Sequence, residues 1–213
     1  MTESQGMLGL FLAVSLVSTA TPGPAVLYVA SQGVAGGMRR AVPGSFGILA
    51  ADAFYILLSI TGLTALLVAS YELFVLIKWI GALYLVYLGL RLVRSGLAGE
   101  TANGQTHPPT AMPRHAFLGG FVLHAGNPKA LLYFGSLVPQ FVDQSRPLAA
   151  QLLTLAAIHL VTASSVLLVY SAVSAGLRRF NITARLRRPF QLATGTFLIG
   201  SGIGLLMLRK SSQ

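Results

Sequence analysis

The sequence contains no cysteine, and only five of its 213 residues are acidic. The first absence excludes disulfides, thiolate metal sites and cysteine nucleophiles, and carries no information on redox compartment. Charge of either sign is scarce, at 9% of residues against about 25% in a soluble domain. So few charges cannot cover a water-facing surface of this size, and 54% of the residues are hydrophobic. Lipid is the expected solvent. A basic n-region is missing too: Glu3 precedes any Lys or Arg, and the first basic residue is Arg39. The opening apolar run therefore reads as a retained helix and not as a cleaved signal. The four histidines are scattered and offer neither a nucleophile with a positioned base nor clustered metal ligands. The expectation is no enzyme, no catalytic residue, no metal and no cofactor.

What remains is strongly basic, with a net charge of +10. The basic residues sit in short clusters between long apolar runs, so anionic lipid headgroups are the expected partner and nucleic acid is not. A bilayer-spanning helix needs about 20 mostly apolar residues. Six segments qualify: Met7–Ala30, Ala41–Leu67, Leu73–Val93, Phe117–Val138, Leu148–Leu177 and Phe190–Leu208. Between the third and fourth, Ser95–Arg114 is rich in Gly, Pro and Thr and reads as a linker.

The two halves resemble each other. Phe11-Leu12 begins eleven residues before Pro22, and Phe117-Leu118 begins eleven before Pro128; the prolines lie 106 residues apart, half the chain. Both interrupt apolar segments, in Thr21-Pro22-Gly23-Pro24 and in Asn127-Pro128-Lys129. With three helices per half, the second half runs inverted across the membrane, and inverted repeats with interrupted helices in matching positions point to a secondary transporter. The fold expected is an all-α integral membrane protein of six transmembrane helices. Two inverted three-helix repeats, residues 1–94 and 115–213, flank a cytoplasmic linker, 95–114, with helices 1 and 4 broken. Ten arginines border the first, third and fifth loops, and only Arg146, Arg209 and Lys210 border the other side. Positive charge stays inside, which puts the odd loops in the cytoplasm and both termini outside. The fifth loop, from Leu177 to Arg188, reads as a topological anchor or as a helix lying on the leaflet.

Chemistry concentrates at a few positions. Two prolines at 22 and 24 remove backbone donors, and the freed carbonyls must face protein, water or ligand; the alternative is a kink that only improves packing. Lys129 lies too deep to snorkel easily and costs about 2.5–3.5 kcal/mol to insert, so it faces an aqueous cavity or pairs with a carboxylate. The candidate partner is Asp52, the one acidic residue well inside a segment, with Ser45, Tyr55 and Ser59 on its helix face. Desolvation favours the neutral carboxyl and a nearby cation the charged one, a balance suited to proton coupling; the alternative is a carboxylate that only pairs helices. Shifted by half the chain, Asp52 maps beside His159, which with His124 is a second proton-coupling candidate or a neutral tie between helices. Gly81, Tyr84, Tyr87 and Gly89 suggest close packing in the third helix, and Gly200 and Gly204 form a small-residue pattern of the kind that supports a homodimer.

Thr21-Pro22-Gly23-Pro24, Gly81-x-x-Tyr84-Leu85-x-Tyr87-Leu88-Gly89, Asn127-Pro128-Lys129 and Pro139-Gln140-Phe141, in that order, resemble the lysine-exporter superfamily, specifically its homoserine/threonine-exporter branch (LysE/RhtB). The resemblance extends over nearly the whole chain. It implies efflux of amino acids or their derivatives across the bacterial inner membrane, driven by proton antiport. By that analogy Thr21, Pro22, Gly23, Pro24, Asp52, Asn127, Pro128 and Lys129 line the central path, with Tyr55 on the same helix face as Asp52. A channel-like pore for small polar solutes and, less favoured, a membrane-embedded enzyme stand as alternatives.

Overall fold

The computed structural model describes residues 2–60, 71–97, 113–143, 145–179 and 182–207. Among them all regular structure is helical. Helix α1 (Thr2–Ala20) meets α2 (Pro24–Gly36) at a bend of 53°. Gly37 alone joins α2 to α3 (Met38–Ile60), with φ of 65°, a left-handed conformation that only glycine adopts without steric cost. Helix α4 covers Tyr71–Leu97 and α5 covers Pro113–Ala125. After a break come α6 (Pro128–Leu132), a π turn (Tyr133–Leu137) and a 3-10 turn (Val138–Phe141). Helices α7 (Leu148–Arg179) and α8 (Ile182–Met207) close the chain.

Several boundaries differ from the sequence expectation. Helix α4 runs on to Leu97 and Pro113 opens α5, a position where a missing N–H is no loss, so both helices extend into the expected linker range. Residues 98–112 lie outside those described, as do 61–67 of the second expected segment. Helix α8 begins at Ile182 and takes in Arg185, Arg187 and Arg188 of the expected fifth loop; Pro189 lies inside it.

Met38–Ser59 and Leu148–Leu177 are long and apolar enough to cross a bilayer, and the bent pair Gln5–Ala20 and Pro24–Gly36 makes a third if taken as one span. Helices α4 and α8, of 27 and 26 residues, exceed the length needed at 1.5 Å per residue. Polarity is turned inside out. Leu10, Leu16, Phe54, Leu57, Trp79, Leu83, Val161 and Val169 are exposed, while Ser15, Ser45, Asp52, Asn127, His159, Ser171 and Thr194 are buried. Water would reward the opposite arrangement; a hydrocarbon surround rewards this one.

Packing follows a reciprocal scheme. Helix α3 lies against α5 and α7, α7 against α1 and α2, and α4 against α8. Two apolar clusters result. One gathers Phe11, Tyr55, Tyr133, Phe134, Leu152 and Leu155; the other gathers Tyr28, Val29, Ile48, Leu85, Leu123, Leu167 and Leu198. The two helix breaks meet between them. Helix α4 reaches the second break through glycine on glycine: a Cβ on Gly81 would collide with the backbone of Gly126, and one on Gly126 with the backbone of Gly81.

Neither backbone can yield without moving a helix, so Gly81→Ala should cost about 1–3 kcal/mol, the usual range for overpacking. Gly176→Ala, at a helical site with open space around it, should be neutral or stabilising through helix propensity. Thermal unfolding of the two variants in detergent checks this; equal melting temperatures would refute the close approach.

Candidate functional site

The first break is a direct consequence of proline chemistry. In an uninterrupted helix the carbonyls of Ser18 and Ala20 would accept from the N–H groups of residues 22 and 24. Both are proline and have none. The two carbonyls find other donors: Lys129 Nζ donates to Ser18 O at 2.5 Å, and Tyr170 Oη donates to Ala20 O at 3.1 Å. Lys129 Nζ also lies 3.4 Å from Thr21 O. Val17 O keeps the backbone N–H of Thr21 at 3.0 Å and accepts its hydroxyl at 2.6 Å. Gly23, in extended backbone, precedes α2 without offering a side-chain cap, so the first N–H groups of α2 carry the partial positive charge of a free helix start.

The second break repeats the logic with different residues. Asn127 caps α6 by accepting the Lys129 N–H on its side-chain oxygen at 3.0 Å. That diverts the N–H that Ala125 O would have received, and Tyr55 Oη donates to Ala125 O instead at 2.5 Å. Each broken helix is thus completed by a tyrosine from the long helix of the other half: Tyr170 of α7 serves the first and Tyr55 of α3 the second.

Between the breaks lies a cavity of about 60 Å³, space for about four waters. Thr21, Gly23, Asp52, Asn127 and Lys129 are on its wall, with His124 and His159. Pro22 and Pro24 stand outside it and act through the backbone. Tyr55 also stands behind the wall, its ring stacked on Phe134 at 5.5 Å.

Of the two alternatives for Lys129, it lines the cavity, and Asp52 is paired with histidines instead. Asp52, 2% exposed, holds His124 Nε2 at 2.8 Å on one carboxylate oxygen and has His159 Nε2 at 3.5 Å from the other. The physical reason is local. Lys129 is drawn to the carbonyls that the prolines orphan, and the two imidazoles occupy the carboxylate. Beyond His159 the contacts continue: its Nδ1 is 3.0 Å from Tyr133 Oη, which is 2.5 Å from Ser15 Oγ. His124, Asp52, His159, Tyr133 and Ser15 form one polar chain drawn from five elements. Two buried ring nitrogens, His124 Nδ1 and His159 Nε2, have no hydrogen-bond partner. Among the described residues no three His, Asp or Glu side chains have the geometry of a metal site.

The sequence matches the LysE type translocator family over residues 16–209. The chain belongs to that family. A membrane protein of Vibrio cholerae serotype O1, itself uncharacterized, is 32% identical over 199 residues, covering 91% of this translocator and 93% of the relative. A leucine efflux protein of Salmonella typhimurium is 30% identical over 138 residues, 64% of each chain. The Bacillus subtilis membrane protein YrhP is 24% identical, over 91% of this chain and 95% of its own. No solved structure matches. The translocator is a transporter and not an enzyme.

Sequence reasoning missed Tyr170, Tyr133 and Ser15. A signal for Ser15 existed, since Ser15, Ser18 and Thr19 form a polar stripe at helical spacing before the first break. Tyr133 and Tyr170 are tyrosines in apolar surroundings and carry no such mark.

The carbonyl substitutions make a prediction. Tyr170→Phe and Tyr55→Phe each leave one backbone oxygen without its donor, and each should lower stability by about 0.5–2 kcal/mol, the range for hydrogen bonds between membrane helices. Melting curves in detergent measure it. Unchanged curves for both would mean the breaks do not depend on these hydroxyls.

Proposed function

We propose that this translocator exports amino acids or amino-acid derivatives from the bacterial cytoplasm by proton antiport, with alternating access to the central cavity. The observation that carries the reading is the convergence on one small cavity of both helix breaks, a buried carboxylate and two histidines. Ionisable groups inside a membrane protein mark substrate or proton pathways. The relative that is a leucine efflux protein supports an amino acid as the cargo.

The chemistry suits both ends of such a molecule. The free N-terminus of α2 opens on the cavity through Gly23, Ala25 and Val26, with Lys129 beside it; helix dipole and ammonium together favour a carboxylate. Across the space, Asp52 and its histidines take the substrate ammonium or the coupling proton. His124 Nδ1 and His159 Nε2, which make no hydrogen bond, add sites for exchange. A cavity of about 60 Å³ is below the size of a typical ligand pocket, so loading requires the halves to move apart, as alternating access demands.

In this reading residues 1–94 and 115–213 are two inverted three-helix repeats and 95–114 is the cytoplasmic linker. The reciprocal contacts support it, since each broken helix packs on the long third or seventh helix of the other half, and α4 packs on its counterpart α8. The positive-inside rule puts Arg39, Arg40, Arg91, Arg94 and Arg114 at the cytoplasm and both termini outside the inner membrane. Lipid meets the apolar exterior. The open surface around Gly200 and Gly204 suits a second copy of the chain.

Reconstitution into vesicles with an imposed pH gradient and a panel of amino acids tests this. An acidic interior should drive uptake of at least one amino acid. Asp52→Asn should abolish gradient-driven uptake while the protein still enters the membrane. Gradient-driven transport of normal rate in that variant would remove Asp52 from the mechanism, and no gradient-dependent uptake of any amino acid by the parent would sink the antiport.

A further inference from the structure

We propose that Phe134 is the outward gate of the translocation path, the side chain that decides what leaves the central cavity towards the side of Arg146. The inference rests on the reading of that cavity as the substrate site.

Three spaces lie in series. The central cavity is separated from a second, apolar one of about 10 Å³, bounded by Phe11, Ile56, Leu152 and Leu155. Only Phe134 and His159 belong to both walls. The second space in turn shares Leu155 with an open cleft of about 510 Å³ that holds Gln140, Asp143, Arg146, Gln151 and Thr154. The shared walls put Phe134 and His159 between the charged cluster and the cleft.

Of these two, Phe134 is the movable one. His159 projects from the interior of α7 and is tied to Asp52 and Tyr133. Phe134 is 2% exposed but has no polar tether. Its ring lies between Tyr55, stacked at 5.5 Å with an interplanar angle of 11°, and His159, edge-on at 5.1 Å. Such contacts hold a ring in one plane at about 0.5–1.5 kcal/mol each, weak enough to exchange.

Its backbone supplies the motion. Between Pro128 and Phe141 the chain passes from α-helix to π turn to 3-10 turn, and Phe134 is the second residue of the π turn. A π turn holds one residue more than an α turn, and such bulges occur at functional sites. Shifting the register by one residue rotates a side chain about 100° around the helix axis. That rotation carries the Phe134 ring out from between Tyr55 and His159 and joins the two spaces.

The chain has no cysteine, so a single introduced thiol reports access without background. Ala163→Cys places it on the central cavity wall and Thr154→Cys in the cleft. Membrane vesicles are treated with an impermeant methanethiosulfonate reagent, and the Thr154→Cys protein identifies vesicles that present the cleft. In those vesicles Cys at 154 should react fast in every background. Cys at 163 should react slowly with Phe134 in place. With Phe134→Ala it should react about tenfold faster or more, as expected when a minor open state of about 0.1–10% becomes dominant. Phe134→Leu, which keeps the apolar filling, gives an intermediate rate and stands in if the alanine variant does not fold. Unchanged labelling at 163 in both folded variants, or a rise only from the opposite face, overturns the gate. If labelling responds but no amino acid is transported, the gate stands and the cargo reading fails. If transport is intact and labelling never responds, Phe134 is a packing residue and the transport reading survives.

Discussion

A backbone carbonyl in a bilayer has nowhere to find water, and this molecule is organised around four that have lost their helical donors or had them diverted. Pro22, Pro24 and Pro128 interrupt two helices at mid-segment. In a soluble protein solvent would satisfy the exposed oxygens; in hydrocarbon each one left bare costs several kcal/mol. The carbonyls of Ser18, Ala20 and Ala125 are met by Lys129, Tyr170 and Tyr55, and that of His124 by the N–H of Asn127 in a tightened turn. The long-range donors tie each broken helix to parts of the other half, so the breaks hold the halves together at the level where they also open a cavity.

The same requirement distributes the charges. Lys129 is engaged by carbonyl oxygens and leaves Asp52 to the two histidines. Three titratable groups then sit together on the wall of a small cavity between the two apolar clusters. The buried carboxylate has an imidazole nitrogen near each of its oxygens, at 2.8 and 3.5 Å. His124 Nδ1 and His159 Nε2 make no hydrogen bond although buried, which costs stability in a packed core, and both histidines stand on the cavity wall.

Close backbone approach completes the arrangement. Gly81 against Gly126 lets α4 touch the second break directly. Membrane helices gain little from apolar burial against lipid and pack best where small residues let backbones meet. The exterior can therefore stay uniformly apolar while the specific contacts are made inside by glycine, serine, tyrosine and one lysine.

Composition and local chemistry by themselves determined much of this. Scarce charge and long apolar runs imply helices in lipid; the prolines at 22, 24 and 128 imply the breaks, because a missing N–H is a property of the residue and needs no neighbour. Asp52, His124, His159 and Lys129 are legible as candidates for the same reason, since an ionisable group in an apolar run is costly wherever it points. Partnership was not legible. Which group meets Asp52 depends on contacts between residues 72 and 107 positions apart, and two histidines and a lysine all carry N–H donors able to reach a carboxylate. Only the tertiary structure decided that Lys129 serves the carbonyls of α1, that Tyr55 and Tyr170 serve as backbone donors and not as cavity walls, and that Phe134 stands between two spaces. Those outcomes arise from the crossing of helices, which periodicity along one chain does not encode.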